Sequence, residues 1–233
     1  MTIKTLPPVA RCVAAAYALL CLAHIALSDG GVQVAGWITK PMLMPVLAVF
    51  TWLAGRAAVE RPALRLPLAG ILFGGAGDTA LMGEGIWFIV GMGCFAIGHL
   101  CYLAAMRQRG AHRGVRRATV AGYAVVWVVL LVLTWSGLGD LLVPVIAYSL
   151  LLVTMAVVAS GLPRPGAIGG ALFVISDGFI ALSLANVQLL PHQSWIVMPT
   201  YVVAQFLLAV ALLGGLPSRE ATRSTSAPST TAP

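Results

Sequence analysis

The stretch Leu66–Met106 decides the fold and reads LPLAGILFGGAGDTALMGEGIWFIVGMGCFAIGHLCYLAAM. It consists of two long apolar segments joined by a short polar hinge at residues 83–85. The first segment contains one carboxylate, Asp78, and the second contains His99 and, three residues later, Tyr102. Apolar segments of this length predict membrane-spanning helices. Because an ionisable group is costly to bury in a membrane, these polar residues are candidates for a functional site.

The composition of the whole chain indicates a polytopic membrane protein. Of the 233 residues, 60% are hydrophobic and 9% are charged, whereas about a quarter are charged in soluble domains. The net charge of +7 would favour nucleic acid as a partner in a soluble chain. In a membrane protein it is better explained by membrane orientation, so no nucleic-acid partner is expected. The four cysteines lie in apolar segments without CxxC spacing, and we expect neither a disulfide nor a zinc site.

The predicted fold class is all-α, with eight transmembrane helices. Residues 1–8 are expected to form a cytoplasmic N-terminal segment, residues 9–216 the membrane domain and residues 217–233 a disordered cytoplasmic tail, since the tail is rich in Pro, Ser, Thr and Ala. The predicted spans are approximately 9–27, 37–55, 66–83, 86–106, 118–136, 141–160, 167–186 and 194–215.

The distribution of Lys and Arg predicts the orientation. With the N-terminus in the cytoplasm, thirteen of the 14 basic residues fall on the inner side and only Lys40 on the outer side. This bias follows the positive-inside rule and arises only with the right number of crossings. It therefore supports eight spans and two cytoplasmic termini. The expected location is the cell (inner) membrane.

Two acidic residues, Asp78 and Asp177, lie deep in predicted spans, at about 18 Å and 15 Å from the cytoplasmic ends. Carboxyls at similar depth can share one cavity. Sharing favours one protonated and one ionised group, which is the arrangement for acid/base chemistry. The alternative is that each aspartate only hydrogen-bonds a neighbouring helix.

Other polar residues lie at helical spacing. His99 and Tyr102 share one helix face, and so do Tyr201 and Gln205. Lys40 either extends to the outer surface or contacts a phosphate or a carboxylate. The sequence has no GxSxG, HExxH, P-loop or GxGxxG motif, so we expect neither a metal nor a cofactor.

At these residues the sequence resembles the YhhN family of integral membrane proteins, whose mammalian members are lysoplasmalogenases. Gly98 departs from the family, where Ala is expected. The resemblance implies eight helices and importance for Asp78 and Asp177. It also implies hydrolysis of the vinyl-ether bond of lysoplasmalogens to a fatty aldehyde and a glycerophospho-base. The matching pieces are Lys40-Pro41, Gly77-Asp78, His99-Leu100-Cys101-Tyr102, Ser176-Asp177 with Ala181-Leu182, and Tyr201 with Ala204-Gln205.

The predicted activity is therefore a membrane-embedded ether hydrolase acting on a lysophospholipid within the bilayer. A vinyl ether is cleaved by protonation of its β-carbon, so Asp78 and Asp177 are the predicted catalytic pair. One rival reading is a proton-coupled transporter or flippase, because intramembrane Asp, His and Tyr also suit a proton relay. Another is a lipid-binding scaffold. The predicted substrate-binding residues are Lys40, His99, Tyr102, Ser176, Tyr201 and Gln205.

Overall fold

The computed structural model describes residues 6–29, 33–58 and 61–214, and this part of the chain is helical, without strands. The all-α prediction is therefore confirmed. Most of the predicted N-terminal segment and the whole predicted tail lie outside the described residues. The helices are α1 (Pro8–Asp29), α2 (Gln33–Ala58), α3 (Arg65–Ala80), α4 (Ile86–Gln108), α5 (Arg117–Thr134), α6 (Leu142–Ala159), α7 (Arg164–Leu184) and α8 (Ser194–Gly214).

Seven helices in the described ranges are long and apolar enough to cross a membrane. Helix α3 is not among these seven, because it is shorter, with 16 residues. The chain is thus a multi-pass membrane protein. The predicted third span, 66–83, ends three residues too late, because the chain leaves the helix after Ala80. Gly83 N–H donates to the Ala80 carbonyl in a turn, and Gly85 then adopts a φ of 62°, which favours glycine. The predicted polar hinge is therefore a turn that ends α3 early.

The helix pairs α3/α4 and α7/α8 pack most extensively, and α2 packs beside α3. A Cβ atom at Gly98 of α4 would lie 3.1 Å from the Gly70 carbonyl oxygen of α3. Helices in a membrane gain no hydrophobic drive for association, so small residues of this kind permit close backbone packing. The close pairs α3/α4 and α7/α8 carry both deep aspartates.

Helix α5 packs much more loosely than the others. Thr134 is the one residue of α5 that is buried within the chain. The Trp127 indole N–H of α5 donates to the Ser149 hydroxyl of α6 at 2.9 Å. Most of the other α5 side chains are exposed and apolar, as expected for a helix that faces lipid.

Candidate active site

The two deep aspartates lie at the same register of their helices. Asp78 and Asp177 each stand thirteen positions after the first residue of their helix, Arg65 in α3 and Arg164 in α7. At 1.5 Å per residue this is about 20 Å along each helix axis. Asp78 is among the charged groups that interact electrostatically with Asp177. The structure thus places the two carboxyls that the sequence singled out at the same register and within electrostatic range of each other.

Their exposure differs, however. Asp78 is buried, with 3% of its surface exposed, and its Oδ2 atom has no hydrogen-bond partner among the described residues. Asp177 is half-buried and lines a cavity. The two carboxyls therefore have different access to a ligand.

Asp78 ends a chain of three polar side chains, called here the Asp78 chain. The Tyr102 hydroxyl donates to Oε1 of Gln205 at 2.5 Å, and Nε2 of Gln205 donates to the Tyr201 hydroxyl at 3.1 Å. Tyr201 in turn is a hydrogen-bond partner of Asp78. Because the Tyr201 oxygen accepts from the amide, its own proton is available for the carboxyl. The Asp78 chain thus orients one oxygen of Asp78 from α4 and α8.

Gly74 makes room for the middle of the Asp78 chain. A Cβ atom at Gly74 would lie 2.8 Å from Nε2 of Gln205 and 3.3 Å from the hydroxyl oxygen of Tyr201. Both distances are shorter than ordinary contacts between carbon and a polar atom. The run Gly74-Gly75-Ala76-Gly77 before Asp78 therefore includes at least one glycine that the site requires.

Asp177 ends a second chain, called here the Asp177 chain. The Tyr148 hydroxyl of α6 donates to Oδ2 of Asp177 in a short hydrogen bond. Nε2 of His99 lies 3.1 Å from the same hydroxyl oxygen. Tyr148 has one proton and gives it to Asp177, so Nε2 of His99 is the donor in the second bond. The order is His99 to Tyr148 to Asp177.

The sequence did not single out Tyr148 in the predicted span 141–160. The signal was present, since Tyr148 is the one tyrosine of that span and lies in its middle. Tyr201 was selected together with Gln205, four residues later, whereas Tyr148 has no polar residue three or four positions away. What the sequence could not give is its partner, because the side chains it meets lie on α4 and α7.

The phenyl ring of Phe173 lies between the Asp78 chain and the Asp177 chain. The Phe173 ring is 4.8 Å from the His99 ring and 5.4 Å from the Tyr201 ring, centroid to centroid, with near-perpendicular planes. Phe173 is only 1% exposed. Edge-to-face packing of this kind fixes ring orientation. His99 and Tyr201 are therefore held in place on either side of Phe173.

The remaining predicted residues lie near the site in different ways. Lys40 is half-buried on α2, and its charge interacts with Asp78. The Ser176 hydroxyl donates to the Val197 carbonyl of α8 at 3.1 Å. Lys40 thus provides a cation within electrostatic range of Asp78, whereas Ser176 connects α7 to α8 next to Asp177.

An apolar cavity opens beside Asp177, between α4, α5, α6 and α7. It is open to the outside on one side, and about 800 Å³ is free of protein atoms when the open space at its mouth is counted. Thr134 and Ser149 also line it, but their hydroxyls donate to carbonyls of their own helices. Asp177 and Tyr148 are therefore the polar lining residues that are hydrogen-bonded to each other rather than to carbonyls of their own helices. The apolar lining includes Phe88, Met92, Phe95, Trp127, Leu130, Leu131, Val145, Ala181 and Leu184.

The described residues contain no group of three or more His, Cys, Asp or Glu side chains that could hold a metal ion. The site as described is a pair of carboxyls with tyrosine, histidine and glutamine partners. Side chains of these kinds can transfer protons.

Comparison with known proteins gives a family and named relatives. The model of the YhhN family matches residues 35–212. The pig protein "Lysoplasmalogenase TMEM86B" is 34% identical over 174 residues, which is 72% of each chain. The human protein of the same name is 30% identical and covers 84% of each chain. "Lysoplasmalogenase" from Mycobacterium bovis is 31% identical over 75% of this chain and 72% of its own. No solved structure matches the chain.

Proposed function

Because the chain belongs to the YhhN family, we propose that it hydrolyses the vinyl-ether bond of a lysoplasmalogen or a related lysolipid ether. The products are a fatty aldehyde and a glycerophospho-base. The observation that carries the proposal is a carboxyl, Asp177, in the wall of an apolar cavity and within electrostatic range of a second carboxyl, Asp78. The names of the relatives support the same activity.

The chemistry of a vinyl ether suits a pair of carboxyls. Such an ether resists hydroxide but accepts a proton on its β-carbon, and this gives an oxocarbenium ion. Glycosidases pass through a similar cation with one carboxyl as acid and one as carboxylate. Two carboxyls in different surroundings can hold these two protonation states at one pH.

The surroundings of the two carboxyls assign their roles in this proposal. Asp177 lies against the apolar cavity, where the alkenyl chain would bind, so it is the proton donor. Asp78 has the ammonium group of Lys40 in its field, and an opposite charge favours a carboxylate. Asp78 is therefore the base; because it is buried and is not among the cavity-lining residues, its unpartnered Oδ2 would exchange protons with the substrate through a water molecule.

The reaction proceeds in three balanced steps. Asp177 transfers its proton to the β-carbon, and the electrons of the C=C bond form the new C–H bond. Water then adds to the carbon that is bonded to the ether oxygen, and one proton of this water passes to Asp78. The product is a hemiacetal. Finally the C–O bond to glycerol breaks, Asp78 returns its proton to the glycerol oxygen, and the hemiacetal O–H proton passes to Asp177. Both carboxyls end in their starting states.

The other residues of the site act through these two in the proposal. Tyr102, Gln205 and Tyr201 orient Asp78. Lys40 balances its charge and is the group available to a phosphate. Ser176 keeps α7, and with it Asp177, against α8. His99 belongs to the Asp177 chain.

The topology of the enzyme completes the proposal. We propose that α3, although shorter, also spans the membrane and brings the number of spans to eight. We also propose that the protein lies in the inner cell membrane with both termini in the cytoplasm. The 16 residues of α3 extend about 24 Å, against about 30 Å for a hydrocarbon core, so the bilayer would thin slightly beside it. A periplasm-active reporter fused to the C-terminus should give no signal, and a strong signal would contradict this topology.

The test of the activity is incubation of the purified protein with a 1-alkenyl lysophospholipid, with aldehyde measured by mass spectrometry. The matched control is the saturated 1-alkyl lysophospholipid, which has no double bond to protonate and should yield nothing. In deuterated water, with the aldehyde trapped before exchange, one deuterium should appear on its α-carbon. The absence of aldehyde, together with proton-dependent movement of a lipid across liposomes, would favour the transporter instead.

A further inference from the structure

Tyr148 occupies the junction between a cavity, a carboxyl and a buried imidazole. Its hydroxyl is hydrogen-bonded to Asp177 and to His99 at once. It lines the same cavity as Asp177, and it comes from α6, a helix on which the sequence marked no site residue. A tyrosine that only filled space would not need both partners.

With the Tyr148 hydroxyl as the donor to Asp177, the protons of the Asp177 chain have one consistent arrangement. Since the Tyr148 proton points to Oδ2 of Asp177, Oδ2 carries no proton itself. Nε2 of His99 donates to the Tyr148 oxygen, and Nδ1 of His99 is buried without a partner among the described residues. A neutral imidazole with its proton on Nε2 fits this arrangement, because a second N–H would be buried with nothing to accept it.

We propose, on the basis of the proposed function, that Tyr148 is a positioning residue for the reaction. Its hydroxyl fixes Oδ2 of Asp177 as an acceptor. The proton that is transferred must then sit on Oδ1, the oxygen left to meet the alkenyl carbon in the cavity. His99 supports this role by fixing the orientation of the Tyr148 hydroxyl, and Phe173 fixes His99.

The same hydrogen bond acts again when the proton has left. Negative charge then develops on Asp177, and a donor already aimed at Oδ2 stabilises it without reorganisation. Loss of one such preorganised donor lowers kcat on the order of 100-fold. The substrate itself does not contact the Tyr148 hydroxyl in this arrangement, so KM should change little.

The test compares Tyr148→Phe with Tyr123→Phe in purified protein. Phe keeps the ring that packs against His99 and removes only the hydroxyl. Tyr123 is a partly buried tyrosine of α5 that packs on the core and belongs to neither chain. We expect kcat to fall about 100-fold in Tyr148→Phe with KM nearly unchanged, and no change in Tyr123→Phe. Wild-type kcat in Tyr148→Phe would overturn the proposal.

A spectroscopic measurement separates positioning from structural support. The infrared C=O band of protonated Asp177 is identified by its loss in Asp177→Asn. A hydrogen bond to Oδ2 lowers the frequency of this band, so the frequency should be higher in Tyr148→Phe than in the wild type. 3-Fluorotyrosine is a stronger hydrogen-bond donor than tyrosine, so its incorporation at position 148 should lower the frequency. An unmoved band in both variants would overturn the proposal even if Tyr148→Phe is poorly folded.

A failure of the proposed function can be distinguished from a failure of the positioning role of Tyr148. If wild-type protein releases no aldehyde from the alkenyl substrate, the proposed function fails, and the infrared bands still report whether Tyr148 holds Asp177. If wild-type protein is active and Tyr148→Phe is equally active, only the positioning role fails.

Discussion

The Asp78 chain and the Asp177 chain are built from the same kinds of side chain but differ in access. Tyr102, Gln205 and Tyr201 are 1%, 1% and 3% exposed, so Asp78 is held by groups that are sealed within the helices. Tyr148 and Asp177 are half-buried and form part of a cavity wall. One carboxyl is thus organised by the core and the other by the edge of a binding space.

This difference explains how two identical residues can have two roles. Close packing of α3, α4 and α8 protects a carboxylate and its polar partners from lipid. The looser packing of α5 leaves space beside Asp177 for an apolar chain. In the proposed reaction, residues of the Asp78 chain should therefore affect how Asp78 is held as the base, and residues around the cavity should affect which lipid reaches Asp177 as the acid.

The largest expected effect is that of removing either carboxyl. Asp78→Asn and Asp177→Asn should each lower aldehyde release by about 10³-fold or more, because general acid or base catalysis by that group is lost. Asn has nearly the same shape, so the proteins should remain folded by thermal unfolding in detergent. The control is Asp140→Asn, which changes an exposed aspartate near the start of α6 and should stay active. Full activity in either site variant would contradict the two-carboxyl mechanism.

The sequence predicted the helices and the aspartate pair because both leave local signals. Long apolar runs identify helices, and a carboxylate within such a run is conspicuous. The predicted end of α3 was wrong because the segment is still apolar where the helix ends at Ala80. The turn that contains Gly83 and Gly85 follows directly. Tyr148 was missed because a tyrosine in a span is ordinary until its partners are known. Hydrogen bonds between α4, α6 and α7 depend on tertiary packing, which no local pattern reports.

The second expected effect separates activity from stability within the Asp78 chain. In Gly74→Ala the new methyl group must displace the Gln205 amide, and a shift of about 1 Å in a site can cost on the order of 100-fold in rate. Stability should change little, since the helix gains about 1 kcal/mol from Ala and loses a hydrogen bond of about 1 kcal/mol. The measurement pairs kcat with the midpoint of thermal unfolding.

Gly93→Ala is the matched control for that variant. Gly93 lies on α4, and a Cβ atom there would meet nothing within 4 Å. The Gly93→Ala variant gains the same helix propensity, and its new methyl group contacts neither the Asp78 chain nor the Asp177 chain. Its activity should therefore equal that of the wild type. If Gly74→Ala were as active as Gly93→Ala, the Asp78 chain would not be needed for catalysis.

The smallest expected effect lies on the cavity side. Ala181 of α7 lines the cavity one turn from Asp177, so Ala181→Leu should narrow the space for the alkenyl chain without touching a hydrogen bond. We expect KM for a long-chain substrate to rise about tenfold, the lower end of the effect of one methylene group in an apolar pocket, with kcat nearly unchanged. Ala147→Leu on the exposed face of α6 adds the same bulk towards lipid and should have no effect. A substrate with a much shorter chain should restore KM in Ala181→Leu. If KM responded equally to both variants, or not at all to chain length, the alkenyl chain would have to bind outside this cavity.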